Sequence, residues 1–264
     1  MTDKDDDNFG DWRIRGMAIL REDVPPAYLG GPSHKAGTPI YQATSAKNKE
    51  YGYLTFITPD TTALALNIAY QASQEAMNIK KDIRFKSIVT PGGNGKAISD
   101  DDLPSLYDFF EHCMISVTFS FQALETFANL LISAEEKIVI MKKDKSIEEL
   151  TPDDAERRLS TEEKFFDVLP SITNIPIKRG GNPGQNLISL KKIRDSTIHL
   201  KSKEIYSKKI GVDGEPDFIL DDKTLFFQFL KNEPKLYPYL AQTIIEHFSP
   251  NHPRWLTKYK KFQR

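Results

Sequence analysis

Cysteine is almost missing from this chain: Cys113 is the only one, which excludes an internal disulfide and any cysteine-cluster zinc site. Set among Phe, Leu and Ile, it reads as a small buried hydrophobe rather than a nucleophile. The longest apolar stretches are interrupted by polar residues well before membrane-spanning length. The start, Asp3-Lys4-Asp5-Asp6-Asp7, has none of the basic-then-apolar layout of a secretory signal. A cytoplasmic protein with no membrane partner is therefore the expectation. Net charge is also lacking, since 36 basic residues oppose 37 acidic ones for a balance of −1, and this excludes a uniformly basic nucleic-acid coat. No His-Glu-x-x-His, no Walker-type glycine loop and no dense acidic cluster of metal ligands is present. Gly92-Gly93-Asn94-Gly95-Lys96 lacks the spacing and the following Ser or Thr of a phosphate loop and reads as a turn. The expectation is that neither a metal nor a cofactor is needed.

What is present is the material of a folded domain with an extension: 264 residues, 39% hydrophobic and 28% charged. Residues 1–10 read as a disordered acidic tail. Residues 11–100 read as an N-terminal extension, with short strands at Trp12 to Leu20, Pro39 to Thr44 and Tyr51 to Thr58 between Pro/Gly-rich turns. This extension also carries one helix, Thr61 to Ile79, capped by Asp60. Residues 101–248 read as a helical bundle. Its centre is a long helix entered at Pro104 and running to about Lys142, with apolar positions around most of its circumference. A charged loop fills 143–160, and Ser160 with Glu163 forms a capping box for a helix from Thr161 to Ile172. Gln185 to about Ser202 forms the next helix, burying Leu187, Leu190, Ile193 and Thr197. Two more helices, Leu225 to Lys231 and Leu236 to Phe248, flank Pro234. Residues 249–264 form a basic, aromatic tail that either docks on the core or stacks and neutralises RNA.

One hexapeptide carries more chemistry than the rest: Arg194-Asp195-Ser196-Thr197-Ile198-His199. Arginine can fork two N–H groups onto a phosphate, and histidine exchanges its proton most easily near neutral pH. The spacing alone has little weight, because 10 arginines and 5 histidines in 264 residues give one chosen Arg-to-His spacing roughly 0.2 times by chance. Its setting adds to it. From Lys178 to Lys209 the chain holds nine basic residues against Asp195 and Glu204, which makes either a local polyanion-binding surface or a solvated helix face. On the long helix, Thr118, Gln122, Glu125 and Asn129 recur at steps of four, three and four and form one polar stripe. That stripe faces either water or a cation such as Arg194.

Ideal helical geometry puts Asp195 and His199 on one face and Arg194 about 140° from His199. Asp195 is thus placed to orient the imidazole, while one copy of the motif makes an open site. Two copies about a twofold axis would form a cleft with two arginines and two histidines. RNA suits that chemistry better than DNA, because its own 2′-hydroxyl supplies the nucleophile.

An Arg-[Asp/Asn/His]-x-x-x-His motif on a late helix, preceded by a long helix reading Phe121-Gln122-Ala123-Leu124-Glu125-Thr126-Phe127-Ala128-Asn129, resembles the HEPN superfamily. The resemblance spans about residues 104–202, including the Thr161-Glu162-Glu163-Lys164-Phe165 helix. It implies a mainly α, HEPN-like helical bundle, here with a small strand-containing N-terminal extension, acting as a dimeric metal-independent endoribonuclease of the toxin or antiviral-defence type. On that footing His199 transfers the proton, Arg194 stabilises the phosphorane charge, Asp195 orients His199 and Glu125 supports Arg194. Lys191, Lys192, Lys201, Lys203 and Arg179 would hold the RNA backbone, and an antitoxin or an activating protein would be the regulatory partner. Some members of the superfamily only bind, so a noncatalytic RNA- or protein-binding module is the alternative. In a plainer reading, His199 merely complements a helix C-terminus.

Overall fold

The computed structural model describes residues 11–25, 33–90, 93–141, 145–200, 209–210, 216–217, 224–250, 253, 255–257 and 259. It is mainly helical, with short antiparallel strand pairs. Contacts group the chain into two compact units, Met1–Leu64 with Asn251–Arg264, and Ala65–Pro250. The division falls inside the first helix, not near residue 100, and it joins the C-terminal tail to the N-terminal strands.

In the first unit, β1 (Met17–Ile19) pairs antiparallel with β2 (Pro39–Tyr41), and β3 (Ala43–Asn48) pairs with β4 (Gly52–Ile57). The β3–β4 turn uses Gly52 at φ 74°, a left-handed conformation that costs glycine nothing. Trp255, Leu256 and Tyr259 of the tail are buried, and the Tyr259 ring lies 5.6 Å from that of Trp12. Of the two readings for this tail, docking is the one observed for these residues. Asp60 caps the first helix, α1 (Thr61–Asp82), through a 2.9 Å bond from the Ala63 amide.

The second unit is built around α2 (Leu103–Ile132), whose buried residues Phe109, Cys113, Val117, Phe121, Leu124, Phe127 and Ala128 meet the expectation of a central helix. Taken with the turn at Asp100–Asp102, it is long and apolar enough to cross a membrane, contrary to the expectation of interrupted apolar runs. Half of its most apolar stretch is buried inside the protein, and a helix surrounded by core has the same need for apolar residues as one surrounded by lipid. It ends at Ile132, ten residues before the expected Lys142. The β-branched run beyond it instead forms β7 (Ile138–Met141), paired with β8 (Ile147–Leu150). Before α2, β5 (Phe85–Thr90) pairs antiparallel with β6 (Gly93–Ile98), so Gly93 to Lys96 of the glycine-rich segment, read as a turn, lie in a strand that starts at Gly93 with φ 118°; Gly92 lies outside the described residues.

The expected loop at 143–160 contains a helix, α3 (Pro152–Arg158). Its signals were local: the Thr151 hydroxyl accepts from the Asp154 amide, Pro152 opens the helix, acids fill the first turn and arginines the last. The capping box at Ser160 is present in both halves. The helix it starts has three parts, α4 (Thr161–Glu163), a π turn at Lys164–Val168 and α5 (Leu169–Thr173), ending at Asn174 in the left-handed conformation. Next come α6 (Asn182–Ile198), α7 (Leu225–Lys231) and α8 (Leu236–Phe248), the last two with the expected bounds. Helices α2, α6 and α8 each pack on the other two. Leu187, Leu190 and Thr197 are buried as expected and Ile193 only half-buried, so the hexapeptide's direction is set by the packing of α6.

Candidate functional site

Arg194 projects from α6 onto α2, where its guanidinium carbon lies 4.6 Å from the centroid of the Phe121 ring. A guanidinium over an aromatic face is held by the ring quadrupole and by stacking. Its Nη1 donates to Asp195 Oδ1 at 3.0 Å, and its Nη2 stands 3.9 Å from Glu125 Oε1. Glu125 in turn accepts from the Thr161 hydroxyl at 2.9 Å. Two residues of the polar stripe of α2 therefore meet cations, while Gln122 in the same stripe is exposed to water, so each of its two readings holds for part of it. Glu125 meets Arg194, and one turn on, Asn129 accepts from Lys164 Nζ at 2.8 Å.

Lys164 is a residue the sequence reading missed. Only 5% exposed, it donates to Asn129 and, at 2.7 Å, to the Glu156 carbonyl. Burial holds its ammonium below the ordinary lysine pKa, with the Glu125 and Glu156 carboxylates opposing that shift. A signal existed: Lys164 lies three residues after buried Thr161 and four before buried Val168, on the apolar side of its helix.

Asp195 does not take the place expected of it. Its Oδ2 accepts from Lys191 at 3.1 Å and its Oδ1 from Arg194, and among the described residues it makes no bond to the His199 ring. Burial raises its pKa, but the bonds from Lys191 and Arg194 outweigh that and hold it below the ordinary aspartate value. The physical reason is that α6 stops at Ile198. His199 follows as an exposed residue with φ −115° and ψ 56°, outside the helical conformation although its amide is still bonded to the Asp195 carbonyl. This position past the helix end also suits the plainer macrodipole reading.

The ion-pair network continues away from the motif. Glu162 Oε2 accepts from Arg179 Nη1 at 2.7 Å, and Glu162 Oε1 lies 3.4 Å from Lys191 Nζ. Arg179's hydrogen bond outweighs burial and, with Lys191, holds Glu162 below the ordinary glutamate pKa. The guanidinium of Arg179 stacks 4.1 Å from the centroid of Phe166. A cleft of about 540 Å³ adjoins these groups, with Ile140, Leu159 and Val168 among its apolar walls and Arg179, Lys191 and Glu162 among its charged ones.

Of the basic residues expected to hold RNA, Arg179 and Lys191 are brought together by Glu162, and Lys192 is exposed on α6. Lys201 and Lys203 lie outside the described residues. Among the described residues, no group of three or more His, Cys, Asp or Glu is arranged to hold a metal ion. No protein-family model, no curated protein and no solved structure matches this chain.

Proposed function

We propose that this protein is a dimeric endoribonuclease of the HEPN type that cleaves RNA through its 2′-hydroxyl without a metal, and that it acts in the cytoplasm in antiviral defence or as a toxin. The observation that carries this reading is the placement of Arg194. Its guanidinium is held between the Phe121 ring, Asp195 and Glu125, with its side chain 26% exposed, and His199 stands exposed at the end of the same helix. A fixed, partly exposed guanidinium is suited to the charge that develops on a phosphorane.

In the proposed reaction, His199 takes the proton of the 2′-hydroxyl and that oxygen bonds to phosphorus. The bond to the 5′-oxygen of the next nucleotide breaks, and the leaving oxygen takes a proton from the His199 of the second copy. The products are a 2′,3′-cyclic phosphate and a 5′-hydroxyl. A second copy is required because a single exposed histidine serves only one side of the scissile phosphate.

The test is incubation of the purified full chain with total RNA in EDTA, beside Arg194→Ala and His199→Ala. Cleavage by wild type and its loss in both variants is the expected result. If wild type leaves RNA intact, alone and with a co-purified partner, or if both variants cut as well as wild type, the catalytic reading fails. A monomeric mass in solution at micromolar concentration would remove the composite site. One observation favours the second reading, a noncatalytic RNA- or protein-binding module. Asp195 is engaged by Lys191 and Arg194, and among the described residues no acid is bonded to the His199 ring.

A further inference from the structure

Glu162 is gripped as a phosphate would be. Two cations from different segments meet it, Arg179 from the loop before α6 and Lys191 from α6 itself, one on each carboxylate oxygen. An anion with two exposed oxygens is the geometry that a guanidinium and an ammonium jointly recognise. We propose that Arg179 and Lys191 form a phosphate subsite for single-stranded RNA, and that the Glu162 carboxylate is its built-in occupant, displaced when RNA binds. This rests on the reading of the protein as RNA-binding and adds where a phosphate sits and what competes for that place.

Four observations support the subsite. Arg179 has supports besides Glu162, because Phe166 lies under its guanidinium and Gln185 Nε2 donates to its backbone carbonyl. The loop bearing Arg179 lies against α6 at Gly184, where a Cβ would collide with the Lys178 carbonyl oxygen and come within 3.0 Å of the Arg179 Cα. The arginine and the lysine are thus set side by side by backbone contact as well as by the acid between them. Third, the pair is breakable: the side chains of Arg179 and Glu162 are 55% and 30% exposed, and ion pairs in that setting are weak and screened by salt. Finally, Lys191 reaches both Glu162 and Asp195, so the subsite lies next to the Arg194 motif, and the adjoining cleft gives room for the nucleoside attached to the phosphate.

The other acids of the cleft do not replace Glu162. Glu163 is committed to the capping box with Ser160, and Asp167 is exposed to water, with no ion pair among the described residues. While Glu162 is in place, acids outnumber bases along the cleft and repel an incoming phosphate. Its neutralisation frees Arg179 and leaves Asp195 as the one carboxylate bonded to Lys191 among the described residues.

The experiment uses the full-length chain carrying His199→Ala to prevent cleavage, with a labelled single-stranded RNA followed by fluorescence anisotropy across a salt series. Glu162→Gln is expected to bind about tenfold more tightly at low salt, and its log K against log salt plot to steepen by about 0.7, as one added phosphate contact on a single strand requires. Adding Arg179→Ala to Glu162→Gln should return both quantities to the parent values. Inorganic phosphate, at matched ionic strength, distinguishes a site for any phosphate from one that needs the strand. Competition by millimolar phosphate in Glu162→Gln points to the isolated anion, and its absence to RNA; either supports the subsite.

Unchanged or weaker RNA binding by Glu162→Gln, with an unaltered circular dichroism spectrum, overturns the proposal. So does a gain that survives loss of Arg179. The two readings separate cleanly. A gain in binding without cleavage by His199-containing protein removes the nuclease and keeps the subsite, whereas cleavage without the gain does the reverse.

Discussion

Burial decides the chemistry of single residues here more than residue type does. Cys113 is fully buried, and burial pushes its thiol pKa up to about 12. A thiol so protonated and enclosed does not attack electrophiles. A disulfide exchange reagent should therefore leave the native protein unmodified over hours and label one thiol per chain in denaturant. Rapid labelling of the native chain would contradict that placement. For Glu162 the partners dominate: Arg179 and then Lys191 hold its folded-state pKa below the ordinary glutamate value. The sign follows from linkage. The stabilisation from this pair is complete above the unfolded-state pKa of about 4.3 and is lost as pH falls through the lower folded-state value. Glu162→Gln should thus be less stable than wild type by only a few tenths of a kcal/mol at pH 7, because the pair is partly exposed. The difference should vanish by pH 3 in urea unfolding. A gap that persists in acid would assign the effect to packing.

At the scale of elements, the site depends on how helices stop and how closely loops approach them. Ending α6 at Ile198 separates His199 from Asp195, and ending α2 at Ile132 leaves room for the β7–β8 hairpin beside the π turn. π turns of this kind concentrate at functional sites, and this one contains Lys164. Gly184 holds the loop at Lys178 and Arg179 against α6 with no space for a side chain. Gly184→Ala gains in helix propensity, about 1 kcal/mol. Overpacking against backbone costs about 1–3 kcal/mol, so the net expectation is destabilisation in chemical denaturation, together with weaker RNA binding as Arg179 moves from Lys191. A stabilised variant with unchanged binding would show that the loop adjusts freely.

At the scale of the whole molecule, the tail belongs with the N-terminal strands, far from it in sequence. Trp255, Leu256 and Tyr259 are too much of a small unit's buried surface to be dispensable. A chain ending at Pro250 keeps Trp12 as its sole tryptophan. Its Trp12 emission should shift to the red and the N-terminal unit should become sensitive to protease, while the helical signal of Ala65–Pro250 still melts cooperatively. Unchanged Trp12 emission would argue against the docking of the tail.

Much of this was legible residue by residue. The bounds of α7 and α8, the capping box at Ser160, the Asp60 cap and the buried side of α6 are local patterns, and local patterns carry their own physics. The helix at Pro152–Arg158 was equally legible from Thr151, Pro152 and the charge order, but its high charge suggested a loop. The i, i+4 spacing of Lys191 and Asp195 was legible too, whereas the bond from Lys164 to Asn129 and the grip on Glu162 could not be read in that way, since each depends on which groups distant segments bring within reach.

By itself the sequence determined a mainly helical chain with a strand-bearing beginning, a long apolar central helix with one polar stripe, and an Arg-Asp-x-x-x-His motif at the end of a basic helix. Periodicity, capping and turn chemistry act over a few residues, which is why these could be derived without coordinates. Only the tertiary structure decided that Glu125 and Asn129 of the stripe meet Arg194 and Lys164, and that Glu162 lies between Arg179 and Lys191. Between distant segments a charge takes the partner that packing places within reach, and no spacing along the chain specifies that partner.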